Sequence, residues 1–216
     1  MKERLRVNEI FFSIQGESTW AGCPCVFVRL TGCNLRCRWC DTEYAFYEGC
    51  HLAIEEIVER VRAYDCRLVE LTGGEPLLQK DIHRLIELLL DGGFTVLIET
   101  SGERDVSQVD PRVIKIMDLK CPSSGECSGN RFNNLDCLSA RDEVKFVIGD
   151  MADFHWACDM VRTYHLLDRV NAVLMSPAFG ILQPAALADW ILRERLPVRM
   201  QLQMHKHIWA PDTRGV

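Results

Sequence analysis

The chain has 216 residues, of which 48% are hydrophobic and 26% charged, enough for one globular domain with a substantial core, and residues 1–216 read as a single domain. Its formal charge of -6 speaks against a phosphate-tracking surface, and so against nucleic acid as a direct partner. No run of about 18 uncharged apolar residues offers a membrane span, and the polar start Met1-Lys2-Glu3-Arg4 lacks a signal-peptide core, which points to the cytoplasm.

From residue 25 onward, short β-branched runs alternate with amphipathic stretches, the pattern of a parallel sheet covered by helices. Strands are expected at 25–30, 68–72, 95–100, 114–119, 144–148, 172–176 and 199–204. Most are apolar on successive residues, as strands buried on both faces are. Helices are expected at 54–64, 79–91, 152–165 and 184–195. In the second, Ile82, Leu85, Ile86 and Leu89 recur at helical spacing and mark a core stripe. Segment 122–138, rich in Gly, Ser, Asn and Cys, has no such period and reads as a loop or a short helix. This order implies an α/β fold, an incomplete (β/α) barrel with helices outside and its active site at the C-terminal strand ends. Segments 32–42, 72–76, 100–102, 119–123 and 176–180 each follow a strand and should converge on one rim.

Eleven cysteines in a chain without a secretory start favour reduced thiols and metal binding over a disulfide framework. Cys33, Cys37 and Cys40 form a C-x3-C-x2-C triplet, which offers a 4Fe-4S cluster three thiolates and leaves one iron open. Gly32 and Asn34 tolerate the backbone angles that wrapping a cubane demands. The rival is zinc, which needs a fourth ligand such as Cys50 or His51. Cys121, Cys127 and Cys137 fit no tight ligand motif for an auxiliary cluster, and incidental or small-hydrophobe thiols are the commoner case. In the βα unit after the triplet comes Thr72-Gly73-Gly74-Glu75-Pro76, by itself only a strand-to-helix turn with Pro at a helix start.

Triplet, turn and the intervening Trp39 together resemble the radical SAM superfamily, whose open iron chelates S-adenosylmethionine (SAM). Phe12-Ser13-Ile14-Gln15-Gly16-Glu17, Cys40-Asp41-Thr42, Glu99-Thr100-Ser101-Gly102 and Thr213-Arg214-Gly215-Val216 extend the likeness, along the whole chain, to the 7-carboxy-7-deazaguanine synthase family. The resemblance implies that Cys33, Cys37 and Cys40 hold the cluster and that Trp39 lies beside the SAM adenine. It places Gly74 and Glu75 at the methionine amino group and Gly102, Lys120, Ser123 and Ser176 around SAM. Thr42 resembles a magnesium-binding hydroxyl that shares Mg2+ with the substrate carboxylate and water.

The implied substrate is 6-carboxy-5,6,7,8-tetrahydropterin, whose guanidine-like edge calls for an acid and whose carboxylate calls for a cation. Glu17 and Arg29 supply that pair. The family pattern puts Ile14, Gln15 and Gly16 against the pterin, with Thr100, His205 and the terminal carboxylate of Val216 beside it, and residues 1–24 as a hairpin-like extension of the pocket. Bland readings stand beside these: Lys120 as a solvated edge charge, Arg29 as a salt bridge, Thr42 as a turn residue after Asp41.

The implied activity is radical removal of hydrogen from C6, ring contraction and loss of ammonia, giving 7-carboxy-7-deazaguanine on the route to queuosine. No protein base is assigned. The resemblance also implies a homodimer and an electron donor such as flavodoxin or ferredoxin. From residue spacing alone, a glycyl-radical activating enzyme and a zinc-stabilised binding module without catalysis stay open.

Overall fold

The computed structural model describes residues 3–216. Its strands are β1 (Arg4–Ile14), β2 (Pro24–Leu30), β3 (Cys50–Ala53), β4 (Leu68–Gly73), β5 (Thr95–Thr100), β6 (Ile114–Asp118), β7 (Glu143–Ile148), β8 (Ala172–Pro177) and β9 (Arg199–Met200). They form one open nine-stranded sheet in the order β3-β1-β2-β4-β5-β6-β7-β8-β9. β1 runs antiparallel to both its neighbours, and from β2 to β9 every pair is parallel. The sheet does not close, so this is the incomplete barrel that the βα order implies.

Helices α1 (Ile54–Arg62), α2 (Ile82–Asp91), α3 (Met151–Thr163), α4 (Leu166–Arg169), α5 (Pro184–Glu194) and α6 (His205–Ile208) complete the chain. In α2, Ile82, Leu85, Ile86 and Leu89 are buried in one cluster with Val26, Val28, Val69, Leu71, Val96 and Ile98 of the sheet's outer face. Burial of each such side chain contributes about 1.5–3 kcal/mol. A second cluster seats α3 and α5 on β7 and β8 through Phe154, Ala157, Leu187 and Ile191. Asp150 caps α3 by accepting the Asp153 amide at 2.9 Å. Among the described residues no helix is long and apolar enough to cross a membrane.

The inner face decides the site. Along the parallel strands, side chains alternate between the helix layer and the concave side. Cys25, Phe27, Leu68, Leu97, Ile114 and Ile116 form an apolar floor on the concave side. One or two steps further along the same strands, the inward positions carry Arg29, Glu70, Thr72, Glu99 and Asp118, and β7 adds Lys145. The apolar strand runs therefore hide a polar rim at their C-terminal ends.

The elements add detail to the expectation and depart from it at β3 and at 199–204. The N-terminal segment contains an eleven-residue strand, paired with β2 from Val7↔Leu30 to Ile14↔Pro24, with a bulge between Val7 and Glu9. The short edge strand β3 was not anticipated. The strand expected at 199–204 stops at Met200, because the chain then turns toward the N-terminal segment: Met204 N donates to Gly16 O at 2.9 Å. Segment 122–138 holds short 3-10 turns, including Pro122–Ser124 and Phe132–Cys137.

Candidate active site

The strand ends, the loop 33–42 and the last residues of the chain enclose a cavity of about 600 Å³. Cys33, Cys37, Cys40, Trp39, Thr42 and Gly74 line it together with Ile14, Gln15, Gly16, Glu17, Arg29, His205 and Val216. Thr100 and Lys120 also line it. The expected convergence on one rim is what the structure has.

Four expected residues stand outside that wall. Glu75 is fully buried, and its carboxylate accepts hydrogen bonds from Thr100 Oγ1 (2.9 Å), Ser101 N (2.8 Å), Ser101 Oγ (2.7 Å) and Leu77 N (3.0 Å). It ties the Gly-Gly-Glu-Pro turn to the end of β5 instead of facing the cavity. Ser123 donates its amide to Asp153 Oδ1 at 2.9 Å, and its hydroxyl also bonds to that carboxylate. Gly102, with φ +69, packs on Met117, and Ser176 is buried behind the wall. Lys120 is no solvated edge charge: its Nζ lies 2.7 Å from Asp118 Oδ2, and that pair raises its pKa against the cost of burial.

The thiol loop is shaped for a cluster. Cys33, Cys37 and Cys40 are free and half-buried. Burial pushes the Cys37 thiol up to about 11, although Lys120 opposes it, so a bound metal must draw its proton off. Gly73 takes φ +129, and a Cβ there would strike the Leu30 carbonyl. A Cβ at Gly74 would strike the Gly32 carbonyl and stand 2.9 Å from Cys33 Cβ, so only glycine lets the turn press against the thiol loop. Among the described residues no three His, Cys, Asp or Glu side chains close on a single point. Cys50 and His51, the candidate fourth zinc ligands, are exposed on edge strand β3, outside the cavity wall. Cys121 is buried, Cys127 half-buried and Cys137 exposed, three separate environments.

The SAM side fits as well. Trp39 packs against Gly149, where a Cβ would stand 2.9 Å from its ring and 2.7 Å from Ser123 Oγ. Asp118 Oδ1, in the cavity wall, and Ser176 Oγ are buried polar atoms without a partner. Asp118 Oδ1, which lines the cavity, is the orphaned acceptor that a donor on a ligand would satisfy.

In the same cavity, Arg29 donates from Nε to Glu9 Oε1 at 2.7 Å, and Tyr44 OH donates to the same oxygen at 2.9 Å. The bland salt-bridge reading of Arg29 thus describes a real contact, made by a side chain that also lines the cavity. Burial pulls the Arg29 pKa down, but Tyr44 and Glu9 outweigh it and the guanidinium stays charged. Burial pushes Glu17 up, yet Lys145 and Gln203 hold it below the ordinary carboxylate range. Burial lowers His205 below the ordinary imidazole value, which favours its neutral form.

Several wall residues escaped the sequence reading: Glu70, Glu99, Asp118, Lys145, Asp41 and Lys206. The first four are charges at inward positions of otherwise apolar strands, and that interruption is the signal that could have found them. Asp41 and Lys206 pair at 2.6 Å, joining the thiol loop to α6.

Three thiols on a strand-end loop, a glycine turn pressed against them and a partial barrel define a radical SAM protein. The model of the radical SAM superfamily matches residues 27–120. A 7-carboxy-7-deazaguanine synthase of Koribacter versatilis is 46% identical over 98% of this chain and 100% of its own length. One from Chlorobaculum tepidum is 49% identical over 98% of this chain and 97% of its own. The crystal structure of QueE from Escherichia coli superposes with a TM-score of 0.77 at 24% identity, covering 94% of this chain and 95% of that one. The chain belongs to the 7-carboxy-7-deazaguanine synthase family, whose cofactors are a 4Fe-4S cluster and SAM.

Proposed function

We propose that the chain converts 6-carboxy-5,6,7,8-tetrahydropterin to 7-carboxy-7-deazaguanine, contracting the ring and releasing ammonia, as a carbon-nitrogen lyase of queuosine and 7-deazapurine biosynthesis. One observation carries this reading: Glu17, Arg29, His205 and Val216 share a cavity with the three thiols. When bound, the cluster and SAM supply a 5'-deoxyadenosyl radical that takes the hydrogen from C6.

The chain's own residues act by positioning and charge. Glu17, kept ionised, accepts from the guanidine-like edge of the pterin. Arg29, steered by Glu9, meets the substrate carboxylate. Ile14, Gln15 and Gly16 form the surface against the ring, above Phe11 and Phe27, which stack with centroids 4.9 Å apart. Thr100, neutral His205 and Val216 complete the wall. Thr42 offers Mg2+ a single neutral oxygen, so the substrate carboxylate and water must complete its shell, and the ion binds only with pterin present. Trp39, Gly74 and Lys120 flank SAM, while Glu75, Gly102, Ser123 and Ser176 shape that side from behind.

A small cavity with a polar rim suits a heterocycle better than the protein loop that a glycyl-radical activating enzyme must admit. Likeness to the family supports a cytoplasmic homodimer reduced by a flavodoxin or ferredoxin. The test is anaerobic reconstitution with SAM, reductant and 6-carboxytetrahydropterin. The expected result is the deazaguanine acid by mass. A brown protein that releases 5'-deoxyadenosine without that acid would remove the substrate and leave the superfamily.

A further inference from the structure

Lys145 enters the cavity from β7 and is only 5% exposed. Its ammonium stands 3.0 Å from Glu17 Oε2, touches Glu99 Oε1 and lies 3.9 Å from Asp118 Oδ2. These acids arrive from three parts of the fold: the segment after β1, β5 and β6. Three N–H donors on one flexible stem can serve such a set, and a buried lysine stays charged only with partners of this kind.

Glu17 depends on this arrangement more than the other two acids do. Glu99 and Asp118 sit on strands whose ladders fix them, whereas Glu17 lies in the loop joining β1 to β2. Around its carboxylate, Gln203 Nε2 donates at 3.0 Å and Gln201 Nε2 at 3.3 Å, both neutral amides. Its backbone amide donates to Gln15 Oε1 at 2.9 Å, and Gln15 Nε2 donates in turn to Glu70. Lys145 is the cation in direct contact with Glu17, and it links the carboxylate of that loop residue to the sheet.

We propose that Lys145 is a positioning residue for substrate selection: it holds Glu17 in place and ionised, so that the pocket accepts a ring edge of adjacent N–H donors and rejects one that presents an acceptor there. The inference rests on the reading of Glu17 as the carboxylate that meets the pterin edge. A fixed anion discriminates strongly, because an acceptor placed against it leaves a buried charge unpaired. A neutral or swinging Glu17 would lose that discrimination first.

The experiment measures equilibrium binding of 6-carboxytetrahydropterin and of its 2-oxo analogue to the reconstituted protein with SAM and without reductant. Proteins compared are wild type, Lys145→Met, Glu17→Gln and the double variant. Lys145→Met should weaken pterin binding about a hundredfold, and should cut the preference for pterin over the 2-oxo analogue from about a hundredfold to under about tenfold. Because Lys145 acts through Glu17, the double variant should bind within about threefold of Glu17→Gln alone. Multiplying losses in the double variant, or an unchanged preference in Lys145→Met, would overturn the inference. Should Lys145→Met fail to fold, Lys145→Gln, whose amide can still donate to Glu99, and its double variant with Glu17→Gln are compared by the same threefold criterion. A wild type that binds no pterin overturns the proposed function and this inference together, whereas pterin binding that Lys145→Met retains in full overturns this inference alone.

Discussion

Gly16 and His205 meet with no room for a side chain: a Cβ at position 16 would fall inside the contact radius of His205 Nδ1 and stand 3.0 Å from the His205 amide. Gly16 O also accepts the Met204 amide at 2.9 Å, so the N-terminal segment and α6 are locked edge to edge in the cavity wall. Space rather than backbone strain decides this glycine, since its φ is not in the left-handed region. Gly16→Ala should push α6 and His205 outward and raise KM for the pterin more than tenfold, with a smaller change in kcat. Steady-state kinetics check it, and an unchanged KM would mean that α6 yields freely.

Arg29→Lys tests a second position in the cavity wall. The guanidinium bonds Glu9 from Nε at 2.7 Å and lies 5.6 Å above the Phe11 ring, contacts that a lysine ammonium cannot reproduce together. The variant should lose about tenfold or more in kcat/KM, mainly through KM. Turnover equal to wild type would reduce Arg29 to a structural salt bridge.

Glu70 offers a prediction with a definite sign. Burial, then Glu99 and Glu17, push its carboxyl well above the ordinary value of 4.5, so the folded protein holds it protonated where the unfolded chain ionises. Its contribution to stability is therefore complete below about pH 4.5 and declines as the pH rises toward the elevated value. Glu70→Gln removes that decline. The stability of the variant relative to wild type, from urea unfolding, should climb with pH by up to about 1.4 kcal/mol per pH unit within this window. A difference that stays flat from pH 5 to 8 would show that Glu70 titrates normally.

Glu75 should matter to folding before it matters to chemistry. Removing a fully buried carboxylate that serves Leu77, Thr100 and Ser101 strands several donors. Glu75→Ala should cost about 3 kcal/mol in urea unfolding and weaken SAM binding as the Gly73-Gly74 turn loosens. Full stability with lost SAM binding would return Glu75 to direct contact with the cofactor.

The sheet was legible because β-branched runs and amphipathic helices announce themselves locally, as with Ile82, Leu85, Ile86 and Leu89 of α2. The thiol triplet was legible because spacing within one loop is a local property. β1 was not, because Arg4–Ile14 mixes charges with apolar residues, and only its partners β2 and β3 show which face is buried. The Lys145 hub was not legible either: a lysine within an apolar strand reads as an exception until Glu17 and Glu99, far apart in sequence, are seen against it. Glu75 looked like a ligand because a carboxylate in a turn suits a cation, and its capture by Ser101 depends on how β4 and β5 align.

The central claim is that the wall built from Glu17 and Arg29 presents C6 of the pterin to the radical formed on the thiol-loop side. Substrate deuterated at C6 tests it most directly, supplied with SAM and reductant to the anaerobically reconstituted protein. The account predicts 7-carboxy-7-deazaguanine together with deuterium in the 5'-position of recovered SAM or 5'-deoxyadenosine. Unlabelled 5'-deoxyadenosine released beside unreacted pterin would contradict it.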